Sequence, residues 1–283
     1  MVDKKMEENI VQFCAITAAS TRDARKFLEH HGRLDVAVDA YFNNPNQFAS
    51  SSKSRKQEQP AAPSTSKINA LFDQYKDEGG DEISIDGTIK LCQDLGVDPE
   101  DVVMLAVAYE LKSPRIGEWN RQGWTEGWKN IGADSLPTMT AAASRLRKQL
   151  SSDPKYFAKV YAYTFEFAKS EGQRSLPTDT AQAFWGLLLP LGLQGGALSH
   201  VDEDEDVSMG ETGDDGFKEE HVQWWFDFLN EKKLKGVSKD TWSMFRDFIR
   251  TIDSQFKKYD AEAAWPSTID EFVDYARNRA GTS

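Results

Sequence analysis

The chain has 283 residues and a formal net charge of −12, from 46 acidic and 34 basic side chains. This acidic balance argues against nucleic acid as a partner, because binding to phosphates depends on Lys and Arg side chains. Every apolar run falls short of the roughly 20 residues that a membrane-spanning helix needs, so we expect no membrane association.

Catalytic and metal-binding residues are not expected. Cys14 and Cys92 are the only cysteines and lack Cys-x-x-Cys partners, which argues against a zinc site or an internal disulfide. The four histidines form no catalytic pattern, and no Gly-rich phosphate loop occurs, so we expect no cofactor. Residues 1–8 lack the apolar stretch of a secretory signal, and we expect a cytoplasmic location, a nuclear location or both.

Residues 1–49 are predicted to form a small domain of three short helices, here called the head. Three runs carry apolar residues at helical spacing: Ile10, Phe13 and Cys14; then Ala24, Phe27 and Leu28; then residues 34–42. Residues 5–48 resemble the ubiquitin-associated (UBA) domain family, although Ala-Ile-Thr at 15–17 stands where that family has Met-Gly-Phe. The resemblance implies weak binding of ubiquitin, or of a modifier like it, through the first loop and the third helix.

Residues 50–66 are predicted to be a flexible linker, because they contain two prolines and no large apolar side chain. The rest of the chain, residues 67–283, is predicted to be a larger helical domain, here called the body. Asp98-Pro99 and Asp153-Pro154 have the pattern of an N-cap followed by a first-turn proline. No segment alternates with period two for long enough to predict a sheet, so the predicted fold class is all-α.

Residues 195–216 are predicted to form a disordered acidic loop. They have few large apolar side chains and include Asp-Glu-Asp-Glu-Asp at residues 202–206. Such a composition cannot bury enough apolar surface to offset the entropy lost on ordering.

Residues 77–88 invite comparison with a calcium-binding loop. Counted from Asp77, the turn position is occupied by Glu82 where glycine is needed, and the closing position by Thr88 where a bidentate Glu is needed. We therefore expect a helix–loop–helix of EF-hand-like shape without a metal ion. A calcium sensor remains a rival interpretation that the missing ligands disfavour.

The C-terminal third contains a more specific pattern. Residues 239–242 are Lys-Asp-Thr-Trp, residues 259–266 are Tyr-Asp-Ala-Glu-Ala-Ala-Trp-Pro, and residues 269–273 are Ile-Asp-Glu-Phe-Val. With Ile-Asp-Gly at 85–87 and Tyr-Ala-Tyr-Thr-Phe-Glu-Phe-Ala-Lys at 161–169, these segments resemble the defective-in-cullin-neddylation family from about Ile68 to Ala280. A UBA-like head before such a body is also the order found in that family.

The resemblance implies two binding sites. An aspartate–alanine–aspartate patch for the C-terminal domain of a cullin falls on Asp240, Ala264 and Asp270. A pocket for the acetylated N-terminal methionine of the Nedd-conjugating enzyme falls on Met104, Val107, Leu111, Trp119, Phe167, Phe184 and Leu187. The residues alone leave structural alternatives open: both aspartates have the positions of helix-start acids, and each apolar residue could be ordinary core.

The resemblance implies a scaffold-type ligase that binds both partners and promotes transfer of the Nedd modifier to cullins, with the chemical step left to the conjugating enzyme. The alternative is a ubiquitin-binding adaptor without ligase activity.

Overall fold

The computed structural model describes residues 4–17, 19, 21–43, 62–201 and 216–281. The chain divides into two compact units, Met1–Ala61 and Ala62–Ser283. Within the described ranges most residues are helical and the strands are only two or three residues long, which confirms the predicted all-α class. None of the helices in these ranges is both long enough and apolar enough to cross a membrane.

The first unit contains three helices, α1 (Lys4–Thr17), α2 (Thr21–His31) and α3 (Leu34–Asn43). The rings of Phe13 and Phe27 lie 5.8 Å apart, and each meets the Tyr41 ring edge-on. Gly32 ends α2 with a left-handed φ of 70°, and its N–H donates to the carbonyl of Leu28. The three helices predicted for the head are thus present around a small aromatic core.

The second unit begins with two helix–strand–helix segments. The first consists of α4 (Thr65–Tyr75), β1 (Glu82–Ile83) and α5 (Ile85–Leu95); the second consists of α6 (Val103–Glu110), β2 (Trp119–Asn120) and α7 (Arg121–Ile131). β1 and β2 are antiparallel, with Ile83 opposite Trp119. A Cβ atom on Gly87 would lie 2.0 Å from the carbonyl oxygen of Tyr75, so only glycine allows α5 to approach α4 this closely.

The remaining elements complete one continuous core. They are α8 (Leu136–Ser152), α9 (Pro154–Ala168), β3 (Ser175–Pro177), α10 (Thr178–Gly195), α11 (Glu219–Glu231), β4 (Gly236–Ser238), α12 (Lys239–Thr251) and α13 (Ser267–Ala280). β3 pairs antiparallel with β4, with Leu176 opposite Val237. Strands this short carry too little alternation to be visible in the sequence.

Three helices meet at a buried cluster of Tyr161, Trp185 and Trp242. The Tyr161 hydroxyl accepts a hydrogen bond from Trp185 Nε1 at 2.7 Å and donates to the carbonyl of Trp242 at 2.7 Å. The Trp242 indole stacks on both other rings, at 4.7 Å from Tyr161 and 4.9 Å from Trp185. This cluster joins α9, α10 and α12 and satisfies the polar atoms that it buries.

Two predicted helix starts have different outcomes. Asp153 caps α9 as predicted, since its carboxylate accepts from the N–H groups of Lys155 and Tyr156. Asp98-Pro99 instead forms a turn, and α6 begins only at Val103, whose N–H donates to Asp101 Oδ1 at 2.8 Å. The predicted N-cap, Asp98, therefore lies four residues before the observed N-cap, Val102, and this predicted helix start was wrong.

The predicted linker is shorter at its C-terminal end than the sequence suggested. Helix α4 begins at Thr65, and the N–H of Ser64 donates to Asp134 Oδ2 at 3.0 Å. Two residues of the predicted linker are therefore helical, because tertiary contacts fix a segment whose composition is linker-like. Residues 50–61 of the predicted linker lie outside the described residues.

The predicted acidic loop also differs from the structure at both ends. Ala197 and Leu198 are buried, and the N–H of Ala197 donates to the carbonyl of Ser151 at 2.9 Å. Gly216 forms an isolated antiparallel bridge with Asp253. Residues 195–201 and 216 are thus ordered against the body, where small apolar side chains find partners; residues 202–215 lie outside the described residues.

Leu198→Ala should lower the free energy of unfolding by about 2–5 kcal/mol, because the side chain is buried against Gly192 and its removal leaves a cavity. Val201→Ala is the matched control, since Val201 is 45% exposed and should cost little. Denaturant unfolding of both variants measures the difference. Equal stability of Leu198→Ala and wild type would show that residues 196–201 do not belong to the core.

Candidate functional site

The body contains an apolar pocket of about 510 Å³. Its walls come from α5, α6 and α10, the loop before β2 and the end of α9. The lining residues are Ile85, Thr88, Ile89, Pro99, Glu100, Asp101, Met104, Leu105, Ala108, Ile116, Gly117, Trp119, Phe167, Ala183, Phe184 and Leu187. Most of these side chains are apolar, which is typical of a site for an apolar ligand group.

Five of the seven residues assigned to the pocket from sequence lie together in it, namely Met104, Trp119, Phe167, Phe184 and Leu187. Val107 and Leu111 do not line it and are buried in the core. Leu111 faces α7, where a Cβ atom on Gly127 would lie 2.9 Å from Leu111 Cγ. The α6 wall of the pocket is supplied by Met104, Leu105 and Ala108, while Val107 and Leu111 lie behind it.

The rim of the pocket is exposed and apolar. Ile85, Ile89, Ile116 and Leu187 have exposed fractions of 60%, 40%, 54% and 36%. Among the described residues of the body, Val201 is the one other large hydrophobic side chain with comparable exposure. Exposed apolar side chains that cluster in this way mark an interaction site.

Sequence reasoning missed part of the rim. Ile85 and Ile89 are four residues apart and therefore lie on the same side of α5, next to the pocket. Their spacing was visible in the sequence, but a core position and an exposed rim have the same spacing. Only the packing of α5 distinguishes the two.

The polar side chains of Thr88, Trp119 and Asp101 in the pocket wall are already hydrogen-bonded or paired. Trp119 Nε1 donates to Thr88 Oγ1 at 2.7 Å, and the Thr88 hydroxyl donates to the carbonyl of Ser84 at 2.8 Å. At the edge, Asp101 forms an ion pair with Arg147. The interior thus offers mainly carbon surface and suits an uncharged apolar group, since an unpaired charge there would be strongly disfavoured.

Cys92 lies behind the pocket, with its Sγ 3.9 Å from Met104 Sδ. Burial, with a smaller effect from Asp98, raises the pKa of the Cys92 thiol to about 11. At neutral pH the thiol is therefore protonated, which makes it a poor nucleophile. The structure gives Cys92 the role of a core side chain.

Two acids of the loop compared with a calcium site, Asp77 and Asp81, accept hydrogen bonds from protein groups. Asp81 accepts from Arg121 Nε at 2.7 Å, and Arg121 also donates to Asp73 at 2.7 Å. The hydrogen bond from Arg121 lowers the pKa of Asp81. Asp77 accepts from the Ser84 hydroxyl, and no group of three or more potential metal ligands occurs in the described part of the chain.

Asp240 lies exposed in the first turn of α12. Ser238 is the N-cap, and its hydroxyl oxygen accepts from the N–H of Thr241. The neighbouring Lys239 pairs with Glu166 at 2.9 Å, which ties the start of α12 to the end of α9. Asp240 makes no side-chain hydrogen bond or ion pair with another residue in the described ranges and is open to solvent, near the positive end of the helix.

Ala264 and Asp270 lie close along the chain, in the loop before α13 and in its first turn, and both are exposed. Tyr259 donates a hydrogen bond from its hydroxyl to Asp270 Oδ1, and its ring stacks on Trp265, the neighbour of Ala264. The structure thus joins Ala264 and Asp270 through Tyr259. No hydrogen bond or ion pair among the described residues links Asp240 to either of them.

Sequence comparison finds a matching family model for both the head and the body. A sequence model of the family described as "Cullin binding" matches residues 138–275, and one described as "UBA-like domain" matches residues 7–47. The protein "Defective in cullin neddylation protein 1" of Cryptococcus neoformans is 37% identical over 280 residues, covering 95% of this chain and 93% of the relative. This chain belongs to the defective-in-cullin-neddylation family.

Two further relatives are similar over most of this chain. The protein of the same name from Mycosarcoma maydis is 34% identical and covers 99% of this chain and 97% of its own length. "DCN1-like protein 4" of Drosophila melanogaster is 31% identical, with 87% of this chain and 88% of the relative aligned. In both cases the aligned share of this chain is larger than residues 67–283, so the similarity extends beyond the body.

Proposed function

We propose that this chain promotes cullin neddylation by binding a cullin and the Nedd-conjugating enzyme at the same time. Family membership supports the cullin as a partner, and the apolar pocket with its exposed rim is the observation that supports a second partner. The chain would supply proximity and orientation, while the conjugating enzyme would supply the reactive thioester. A transfer assay with purified conjugating enzyme, modifier and cullin tests this directly: adding the chain should raise the transfer rate.

The pocket is proposed to bind the acetylated N-terminal methionine of the conjugating enzyme. A methionine side chain is flexible and apolar, and it suits an irregular cavity lined by Met104, Phe167 and Phe184. Acetylation removes the positive charge of the terminal amine, so no ion would need to enter the apolar interior. The exposed rim would then cover the residues that follow the methionine.

Binding of the conjugating enzyme should weaken at least about tenfold, or ~1.4 kcal/mol, when its N-terminus is not acetylated. The reason is that an ammonium group would lose its water in the apolar interior, because the lining acids, Glu100 and the Arg147-paired Asp101, precede α6 at the edge of the pocket. Calorimetric titration of the acetylated and free forms measures the difference. Leu187→Arg at the rim should weaken binding of the acetylated form, whereas Val201→Arg should not. Equal affinity for both forms would contradict the pocket assignment.

The cullin is proposed to bind at Asp240, Ala264 and Asp270. All three side chains are exposed, so the carboxylates of the two aspartates can meet basic groups of a partner. The small side chain of Ala264 would allow the partner to approach the backbone of the loop before α13. A purely structural role of the aspartates at helix starts would instead be worth about 0.3–1 kcal/mol of stability each.

Ala264→Arg should fold like wild type and fail to bind the cullin, because an exposed arginine adds bulk and repels a basic partner surface. Binding and transfer rate are measured together with the melting curve. Ala141→Arg adds the same side chain at an exposed position of α8 and serves as the matched control. The proposal is wrong if folded Ala264→Arg binds and stimulates transfer like wild type.

The head is proposed to bind ubiquitin or a modifier like it. Four large apolar side chains of this small unit are exposed: Val11, Ile16, Val36 and Phe42, at 69%, 55%, 44% and 64%. Ile16 ends the first helix near the first loop, and Phe42 lies at the end of α3. Such exposure in a unit with a minimal core indicates a binding surface. This property alone would also suit the alternative function, an adaptor without ligase activity.

Titration of labelled chain with ubiquitin should shift the NMR signals of residues near Ile16 and Phe42, with a Kd on the order of 1 mM or tighter. Phe42→Asp should abolish the shifts, whereas Arg25→Asp, at an exposed polar position of α2, should retain them. The absence of any shift at millimolar ubiquitin would rule the proposal out. Neddylation by the Phe42→Asp variant then separates the adaptor function from the ligase function.

A further inference from the structure

The loop between α12 and α13, residues 252–266, is fixed by a buried carboxylate. Asp253 is 6% exposed, and its two oxygens accept from the N–H groups of Lys258 at 2.6 Å and Gln255 at 3.2 Å. Phe256 is fully buried with a left-handed φ of 57°, a strained conformation for an aromatic residue. Strain of this kind persists only where surrounding contacts determine the backbone.

The same loop also contacts α13 through Arg277. Arg277 Nε donates to the carbonyl of Phe256 at 2.9 Å, and the Arg277 guanidinium lies 5.9 Å from the centre of the Tyr259 ring. The Tyr259 ring stacks on Trp265 at 6.4 Å with an interplanar angle of 29°. The ring of Tyr259 is thus held between Arg277 and Trp265.

The hydroxyl of Tyr259 points to Asp270 and donates a hydrogen bond to its Oδ1. Burial, followed by this hydrogen bond, raises the pKa of Tyr259 above its ordinary value, so the hydroxyl remains a donor at physiological pH. A carboxylate oxygen has room for more than one hydrogen bond, and the second oxygen of Asp270 remains for another group.

We propose that Tyr259 is a positioning residue for cullin binding, which fixes the Asp270 carboxylate in the orientation that a basic partner group meets. This inference rests on the proposed cullin site. Because this hydrogen bond already orders the Asp270 side chain in the free protein, less side-chain entropy is lost when the partner binds. The stacking of Tyr259 on Trp265 fixes the position of the neighbouring Ala264 relative to Asp270.

The variant Tyr259→Phe tests the role, because it keeps the ring between Arg277 and Trp265 and removes only the donor. Cullin affinity should fall roughly three- to tenfold, the effect of leaving one side chain to be ordered on binding. The KM for cullin in the transfer assay should rise by a similar factor with kcat unchanged. Affinity for the acetylated conjugating enzyme should not change.

A matched control lies on α13, the helix that also carries Asp270. Tyr275 also donates to an exposed carboxylate, Glu231 Oε1, at 3.1 Å. Tyr275→Phe therefore removes the same kind of bond away from the proposed site, and cullin affinity should stay within twofold of wild type. A comparable loss in both variants would assign the effect to α13 in general and overturn the inference.

A double-mutant cycle with Asp270→Ala separates this inference from the function on which it rests. We expect Asp270→Ala to weaken cullin binding and Tyr259→Phe to have no further effect in that background. If Asp270→Ala weakens binding but Tyr259→Phe binds like wild type, or the two effects add, the positioning role is wrong and the site stands. If Asp270→Ala binds like wild type, the proposed site is wrong and the inference falls with it.

Discussion

The Tyr161 hydroxyl is the contact on which the arrangement of the body depends. It belongs to α9, accepts from Trp185 on α10 and donates to the backbone of Trp242 on α12. Phe184 and Leu187 of the pocket flank Trp185 in sequence, and Asp240 lies two residues before Trp242. The core therefore fixes the helix of the pocket relative to the helix of Asp240. Removing the hydroxyl would leave Trp185 Nε1 without its acceptor, at a cost of about 1–3 kcal/mol, while the Trp242 carbonyl inside α12 would keep its helical hydrogen bond.

A rigid core of this kind suits the proposed function. A scaffold that only holds two proteins gains from the high effective concentration of one partner near the other, provided that its two sites keep their separation. Here most of the pocket wall and the start of α12 belong to helices, and Lys239 and Glu166 add an ion pair between the start of α12 and the end of α9. Since that pair is about half exposed, it contributes little to stability, and the stacked aromatic rings carry the rigidity.

Local sequence signals predicted the helices well and their ends and faces less well. Asp98-Pro99 and Asp153-Pro154 have the same pattern, yet only Asp153 caps a helix, while Asp98 accepts from the N–H of Glu100 within a turn. On α6, Met104, Val107 and Leu111 belong to one apolar series in sequence, but Met104 faces the pocket and the other two face the core. Which side of an apolar helix is covered depends on its neighbours, which local periodicity does not contain.

The ends of the acidic segment and the loop of the proposed cullin site meet at the same place. The N–H of Val201 donates to the carbonyl of Arg250 at 2.8 Å, and Gly216 pairs with Asp253, whose carboxylate builds the turn that leads to Tyr259. Residues 201 and 216 are therefore held within four residues of one another, at Arg250 and Asp253. The backbone bridge at Gly216 supports Asp253 directly. These two contacts thus add to those that fix the loop carrying Tyr259, the residue that donates to Asp270.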